Sequence, residues 1–213
     1  MKDFDIMFNK NPFGIGIYGM ANELTIPEPG SFTKVIKFLK CTIDKKNLDA
    51  KNPPSNPFKV QVAMKTSLDV FYFEVPCHIH CLIDLQNPLK PEEFKKFWEM
   101  IPKTNESTLS ISPLYGGFTS SKFNQGDLAS NLVEGLQANG FTNVAKVPKK
   151  DAPQPTTMLY FGAKTINNLP LLLEVPAIQG STTANVLFRV PVLPLKPLLE
   201  EALTLILGAE QRQ

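Results

Sequence analysis

The sequence has little excess charge. Twenty-two basic residues face twenty acidic ones, a formal net charge of +2. That is too small to argue for nucleic acid or an acidic membrane as the main partner. Cysteine is scarce, with three in 213 residues. An odd, small number fits free thiols better than a disulfide framework. Histidine is scarcer: His78 and His80 are the only two. No stretch approaches the roughly 20 apolar residues that a membrane-spanning helix needs. The closest, Leu169 to Ile178, is interrupted by Pro170, Glu174 and Pro176. The N-terminus alternates acidic and apolar residues, where a secretory signal would present an apolar run. A reduced, cytosolic protein is the simplest expectation. There is no G-x-S-x-G elbow, so nucleophilic catalysis has little support. Gly116-Gly117 lacks the spacing and the lysine of a phosphate loop and reads as a turn. Internal repeats and low-complexity tracts are absent as well.

What is plentiful is proline, nineteen residues of it, which favours many short elements with stiff connections. Hydrophobic residues at 43% and charged residues at 20% are ordinary for a chain that buries a core. The first part reads as β. Phe4, Ile6 and Phe8 alternate with polar or flexible neighbours. Ser31 to Cys41 is a second strand, and Asp44 to Pro57 is a loop. Val60, Val62 and Met64 alternate again, and Asp69 to Glu74 is aromatic and β-prone. A last strand of this half is expected through Cys77, Ile79 and Cys81. That makes about five strands where a sandwich usually needs about seven. One or more further strands upstream are therefore expected.

From Asp84 the pattern changes. Pro91 to Pro102, PEEFKKFWEMIP, holds the chain's only tryptophan and reads as a short helix bracketed by prolines. Phe94, Phe97, Trp98 and Ile101 share one face, with Trp98 about 40° from Phe94 at ~100° per residue. Its indole can fill a core or line a surface pocket, and the sequence leaves both open. Leu109 and Ile111 mark a strand. Asp127 caps a second helix with Leu128, Leu132, Val133 and Leu136 on one stripe, and Gly140 ends it. Phe141 to Val147, Thr157 to Lys164, Leu169 to Val175 and Asn185 to Val192 read as strands, with Pro148 to Pro155 a hairpin loop. Pro197 is expected to open a last helix. The second half is thus α+β, an antiparallel sheet with helices packed on it. The boundary falls at 84, giving a β-sandwich unit over 1–84 and an α+β platform over 85–213.

Two motifs offer chemistry. In Cys77-His78-Ile79-His80-Cys81, alternation sends the histidines to one face of a strand and the cysteines to the other. One strand cannot give all four to one tetrahedral metal, and further ligands are not visible. A metal-binding or thiol enzyme built on His78 and His80 is the rival from a different functional class. Leu82-Ile83-Asp84-Leu85-Gln86 resembles a clathrin-box peptide, but it joins two packed elements and reads as the end of a strand.

Several stretches together resemble the C-terminal appendage (ear) of a beta-adaptin, the large beta subunit of clathrin adaptor complexes. They are FNKNPFG at Phe8 to Gly14, PFKVQVAMKTSLDVFYF at Pro57 to Phe73, the FW-EMIP helix around Trp98, and MLY at Met158 to Tyr160. Each alone is weak, but their order and spacing are specific. The resemblance implies an immunoglobulin-like β-sandwich, here N-terminally incomplete, followed by a platform of antiparallel sheet with flanking helices. It implies a non-enzymatic module without a cofactor, which takes short motifs of accessory proteins and cargo adaptors of arrestin or epsin type and works with clathrin. Other adaptor subunits would be reached through a trunk outside this chain. The expected location is cytoplasmic, on clathrin-coated pits and vesicles or the trans-Golgi network. Trp98 and Tyr160 match the aromatic walls of a platform pocket. Glu106 and Glu174 match acids that pair with a basic ligand residue, and Lys146 matches a basic position. Tyr72, with Lys65 beside it, matches a second site on the side of the sandwich. Pro91 and Glu99 stand where the family has basic residues, so the acidic part of its ligands loses partners here. The nearest rival in the same class is the appendage of another coat subunit, such as gamma coatomer.

Overall fold

The computed structural model describes residues 5–9, 16–17, 39–40, 59–66, 68–76, 78–112 and 127–208. The chain divides into two compact units, Met1–Cys77 and His78–Gln213.

In the first unit, β1 (Asp5–Phe8), β4 (Lys59–Lys65) and β5 (Val70–Pro76) form an antiparallel sheet in the order β1-β4-β5. The two-residue strands β2 (Gly16–Ile17) and β3 (Leu39–Lys40) pair with each other. The rest of the expected Ser31 to Cys41 strand lies outside the described residues. The alternation in β4 has the predicted meaning: Val60 and Val62 are buried while Lys59 and Gln61 are exposed. Thr66 closes the β4–β5 hairpin. Its hydroxyl accepts from the amides of Leu68 and Asp69 at 3.1 Å each and donates to the Asp69 carbonyl at 3.0 Å. One hydroxyl thus satisfies the turn that strand pairing leaves open.

The second unit is built on a five-stranded antiparallel sheet. Its strands are β6 (Glu106–Ile111), β7 (Thr142–Lys149), β8 (Thr156–Lys164), β9 (Pro170–Ile178) and β10 (Ala184–Arg189), in the order β6-β10-β9-β8-β7. Three helices flank it among the described residues: α1 (Pro91–Met100), α2 (Leu128–Ala138) and α3 (Leu195–Leu207). Alternation divides each strand between two faces. Leu159, Phe161, Leu173, Val175, Val186 and Phe188 are fully buried and point to the side covered by α2 and α3. Met158, Tyr160, Gly162, Lys164, Leu172, Glu174, Leu187 and Arg189 point to the side that carries α1. These elements and helices are the arrangement expected of a β-sandwich unit followed by an α+β platform.

Two local expectations are corrected. The strand expected through Cys77, Ile79 and Cys81 is a 3-10 turn over Ile79–Leu82. Backbone bonds from Cys81 N to His78 O (3.0 Å) and Ile83 N to His80 O (3.3 Å) close it. Cys77 lies outside the described residues; Ile79 is buried and Cys81 is exposed. The segment is held instead by the end of β8, where Asp84 N donates to Lys164 O and Ile166 N to Leu82 O. Residues 78–84, grouped above with the first half, therefore pack with the second. Helix α3 begins at Leu195, two residues before Pro197. Proline is tolerated there because the first-turn amides have no intrahelical acceptor.

The remaining signals act as read. Asp127 accepts from the Ser130 amide at 3.0 Å and caps α2. Gly140 takes φ +87° just after α2, where a Cβ would also lie 2.8 Å from the Leu85 side chain. At the outer edge, β7 carries a bulge between Asn143 and Ala145, with Pro148 and three exposed lysines, 146, 149 and 150, beyond it.

Candidate peptide-binding site

Helix α1 owes its start to Pro91 and Glu93. Pro91 occupies the first helical position, and the Glu93 carboxylate reaches back to the Lys90 amide at 3.0 Å. The same carboxylate meets Lys164 Nζ at 3.1 and 3.2 Å, and Lys164 also donates to Asn87 at 3.2 Å. Lys164 is almost wholly buried, with all three of its N–H donors placed. The N-terminal end of α1 is thereby pinned to β8. Leu89, Phe94, Ile101 and Leu172 form a small core between helix and sheet. Burying a side chain such as Phe94 contributes about 1.5–3 kcal/mol.

Around that core stand four half-buried residues: Phe97, Trp98, Val144 and Tyr160. Phe94 lies between the two site aromatics. Its ring stacks on Trp98 (5.3 Å, 19°) and meets Tyr160 edge-on (5.9 Å, 73°). Trp98 is therefore neither a core residue nor a free surface ring. It roofs the small core and keeps part of its surface in water.

Tyr160 sits directly across β9 from Glu174. Burial pushes the Glu174 carboxyl above its usual range, and Glu106 adds to the rise, while Arg189 and Lys149 draw it back. Burial, with Glu174 second, pushes the Tyr160 phenol upward as well. Glu106 enters the site from β6, opposite Arg189 of β10. Arg189 Nε donates to Glu106 Oε2 at 2.8 Å, and Nη2 lies 2.8 Å from the same oxygen in an ion pair. Its Nη1 donates to the Trp98 carbonyl at 2.6 Å, and its guanidinium lies 4.1 Å from the Trp98 ring centroid. A cation on an indole is worth about 0.5–2 kcal/mol, more when water is excluded.

Four of the sequence-derived residues thus converge on one face: Trp98, Tyr160, Glu106 and Glu174. Lys146 does not join them. The bulge between Asn143 and Ala145 inserts one residue, so Lys146 pairs with Leu159 and points to the α2 side. There it acts on the Asp127 carboxylate and lines a hollow of about 630 Å³ with Asp127, Thr156 and Thr157. A one-residue slip turns every later side chain of a strand to the other face. The same slip brings Lys149 to the Tyr160 face, which parity along an unbulged strand would not give. Arg189 escaped the sequence reading altogether. Its signal was compositional: the chain has twenty lysines and two arginines, Arg189 and Arg212. An arginine inside a strand of such a chain marks a place that needs a planar fork.

In the first unit, Tyr72 is 80% exposed. It lines a hollow of about 340 Å³ with Asn9, Gln61, Val62, Ala63, Phe73 and Glu74. An Asn9–Gln61 hydrogen bond (2.8 Å) and a Lys59–Glu74 ion pair (3.1 Å) frame it. Lys65 shares the face, two residues beyond Ala63, the cross-strand partner of Tyr72, but is not part of the lining. His78 and His80 stack on each other at 5.7 Å, with His78 Nδ1 3.7 Å from Glu201. Burial, then His78, lowers the His80 pKa. Among the described residues no group of three or more His, Cys, Asp or Glu could hold a metal ion.

A family model described as Beta2-adaptin appendage, C-terminal sub-domain, matches residues 85–207. The chain belongs to the beta-adaptin appendage family. Relatives of this appendage include AP-1 complex subunit beta-1 of Rattus norvegicus, 29% identical over 195 residues, which are 90% of this chain and 18% of that protein. The Homo sapiens protein of the same name is 29% identical over 189 residues, 87% of this chain and 17% of that protein. AP-1 complex subunit beta of Dictyostelium discoideum is 22% identical over 208 residues, 98% of this chain and 20% of that protein. The appendage chain thus spans a fifth or less of the length of these relatives. With a beta-adaptin match over the α+β unit, the gamma-coatomer alternative gives way.

Proposed function

We propose that this chain serves a clathrin adaptor as its appendage, capturing short peptide motifs of accessory proteins and cargo adaptors during vesicle-mediated transport. The observation that carries the reading is the cluster on the α1 face. Trp98 and Tyr160 are half-buried around Phe94, with the Glu174 carboxylate beside them. Rigid aromatics next to a carboxylate suit an amphipathic helix that docks by Phe and Leu anchors and places a basic residue at the acid. Tyr72 and its hollow form a second, separate contact site, with Lys65 at its margin. Lys146 is left out of the α1-face site. The module needs no catalytic group. Its place is peripheral, at the cytoplasmic side of coated pits, vesicles or the trans-Golgi network. Among the described residues no helix is long and apolar enough to cross a membrane.

Ordering a disordered ligand consumes part of the interaction energy, so single contacts are weak. Many appendages in one coat supply the avidity. Calorimetric titration with a helix-forming peptide carrying Phe and Leu anchors and a C-terminal arginine tests the reading. Trp98→Ala and Tyr160→Ala should each weaken binding at least about tenfold, a loss typical of an aromatic hot spot. Tyr72→Ala should leave this peptide's affinity as it is. Unchanged binding in both α1-face variants would remove that face from the function.

A further inference from the structure

We infer that Glu106 is a positioning residue: it holds the Arg189 guanidinium against Trp98, so the cation seat on this face is filled by the chain itself. The inference rests on the α1 face being the peptide site. Two carboxylates border Trp98 and Tyr160, and both types match acids expected to meet a ligand cation. Their situations differ. Glu106 and Arg189 stand directly opposite each other on β6 and β10, so the backbone register fixes the pair. One Glu106 oxygen accepts from Arg189 Nε and pairs with Nη2 at 2.8 Å, and Nη1 caps the Trp98 carbonyl near the end of α1. Two of the five guanidinium N–H donors make hydrogen bonds, and Cζ lies 4.1 Å from the indole centroid. The Arg189 side chain is only 10% exposed.

A ligand cation that sought Glu106 would have to take it from Arg189. That would leave a nearly buried guanidinium without its anion, a loss larger than a half-exposed new pair returns. Glu174 is different. It feels Arg189, Lys149 and Glu106 through space, and among the described residues it enters no ion pair. The basic residue of a bound peptide therefore falls to Glu174. Glu106 acts one step removed, through the guanidinium that sets the tilt of Trp98. The arginine itself is specific to the arrangement, since a lysine ammonium cannot pair with the carboxylate, cap the carbonyl and set a broad planar cation over the ring together.

The test is a double-mutant cycle. Two synthetic helix-forming peptides with the same Phe and Leu anchors are used, one ending in arginine and one in norleucine. Each is titrated into wild type, Glu106→Gln, Glu174→Gln and Arg189→Lys. Wild type should prefer the arginine peptide about tenfold, the worth of one charge-assisted contact. Glu174→Gln should abolish that preference. Glu106→Gln should weaken both peptides by the same factor and keep the preference. A preference lost in Glu106→Gln and retained in Glu174→Gln overturns the inference. A second readout needs no ligand: Trp98 is the only tryptophan. Its emission and its quenching by acrylamide should change in Glu106→Gln and Arg189→Lys, and unchanged emission in both would also overturn the positioning role. Should wild type bind neither peptide, the peptide-site reading fails together with the share assigned to Glu174. The emission measurement then decides the role of Glu106 alone.

Discussion

Glu174 stands in a field set by two cations and one anion, and its raised carboxyl pKa has a direct consequence for binding. Burial, with Glu106 second in that direction, favours the neutral acid. A ligand cation requires the ionised form, so its arrival lowers the raised value. Affinity for an arginine-ended peptide is thus full above the free-state pKa and declines as pH falls through it. Titrations across the weakly acidic range should show this decline in wild type and lose it in Glu174→Gln; an identical pH profile in both would dissociate Glu174 from ligand charge. Single residues were readable to very different degrees. Trp98 and Tyr160 lie in recognisable local motifs and Glu174 is matched by position in the resemblance, and their convergence follows from strand parity and helix period. Lys146 was misplaced because a bulge leaves no mark on a short, mixed sequence such as Asn143-Val144-Ala145. Arg189 was missed because its partners, Glu106 and the Trp98 carbonyl, lie 83 and 91 residues away.

Helix α1 is held at both ends by cations from the sheet. Lys164 of β8 grips Glu93 near its start, and Arg189 of β10 caps Trp98 near its finish. Between these pins the helix lies close to the sheet, at Gly162. A Cβ there would come within 2.4 Å of Leu89 Cδ2 and 3.2 Å of Phe94 Cδ2. Gly162→Ala should therefore lift α1 from the sheet and destabilise the unit by about 1–3 kcal/mol, read from the denaturation midpoint. A midpoint equal to wild type would show that Leu89 yields without cost. Asp127→Ala, on the opposite face, removes the α2 cap and should cost about 1 kcal/mol. It should leave Trp98 emission unchanged, which separates the two helices as independent elements. Proline brackets and the apolar stripe made α1 legible from sequence, and capping residues did the same for α2. The 3-10 turn at Ile79–Leu82 was not legible. Period-two alternation cannot distinguish a strand from a turn that buries Ile79 and leaves Cys81 exposed.

At the scale of the molecule, the α+β unit has its own core on both faces of its sheet, and the family match covers most of it. A fragment of residues 78–213 should fold alone, with a cooperative thermal transition and the near-ultraviolet signal of a fixed Trp98. A non-cooperative melt would show that residues before His78 complete the unit. The class of fold was legible because the change from strand-like alternation to mixed helix and strand periods falls close to the division of the chain. Reading the sandwich half was harder, since much of its sequence is proline- and lysine-rich connection. The bulged edge strand β7 has a bearing on the role proposed above. In a coat, many copies of the chain would meet at high local concentration, where an open sheet border could zip onto its neighbour. The kink at Asn143, the missing amide of Pro148 and the repelling lysines after it make that border unfit for such pairing. On the proposed role, crowding would then serve ligand capture without seeding aggregates. The inserted residue that turns Lys146 away from the α1 face would thus also help to keep the molecules apart.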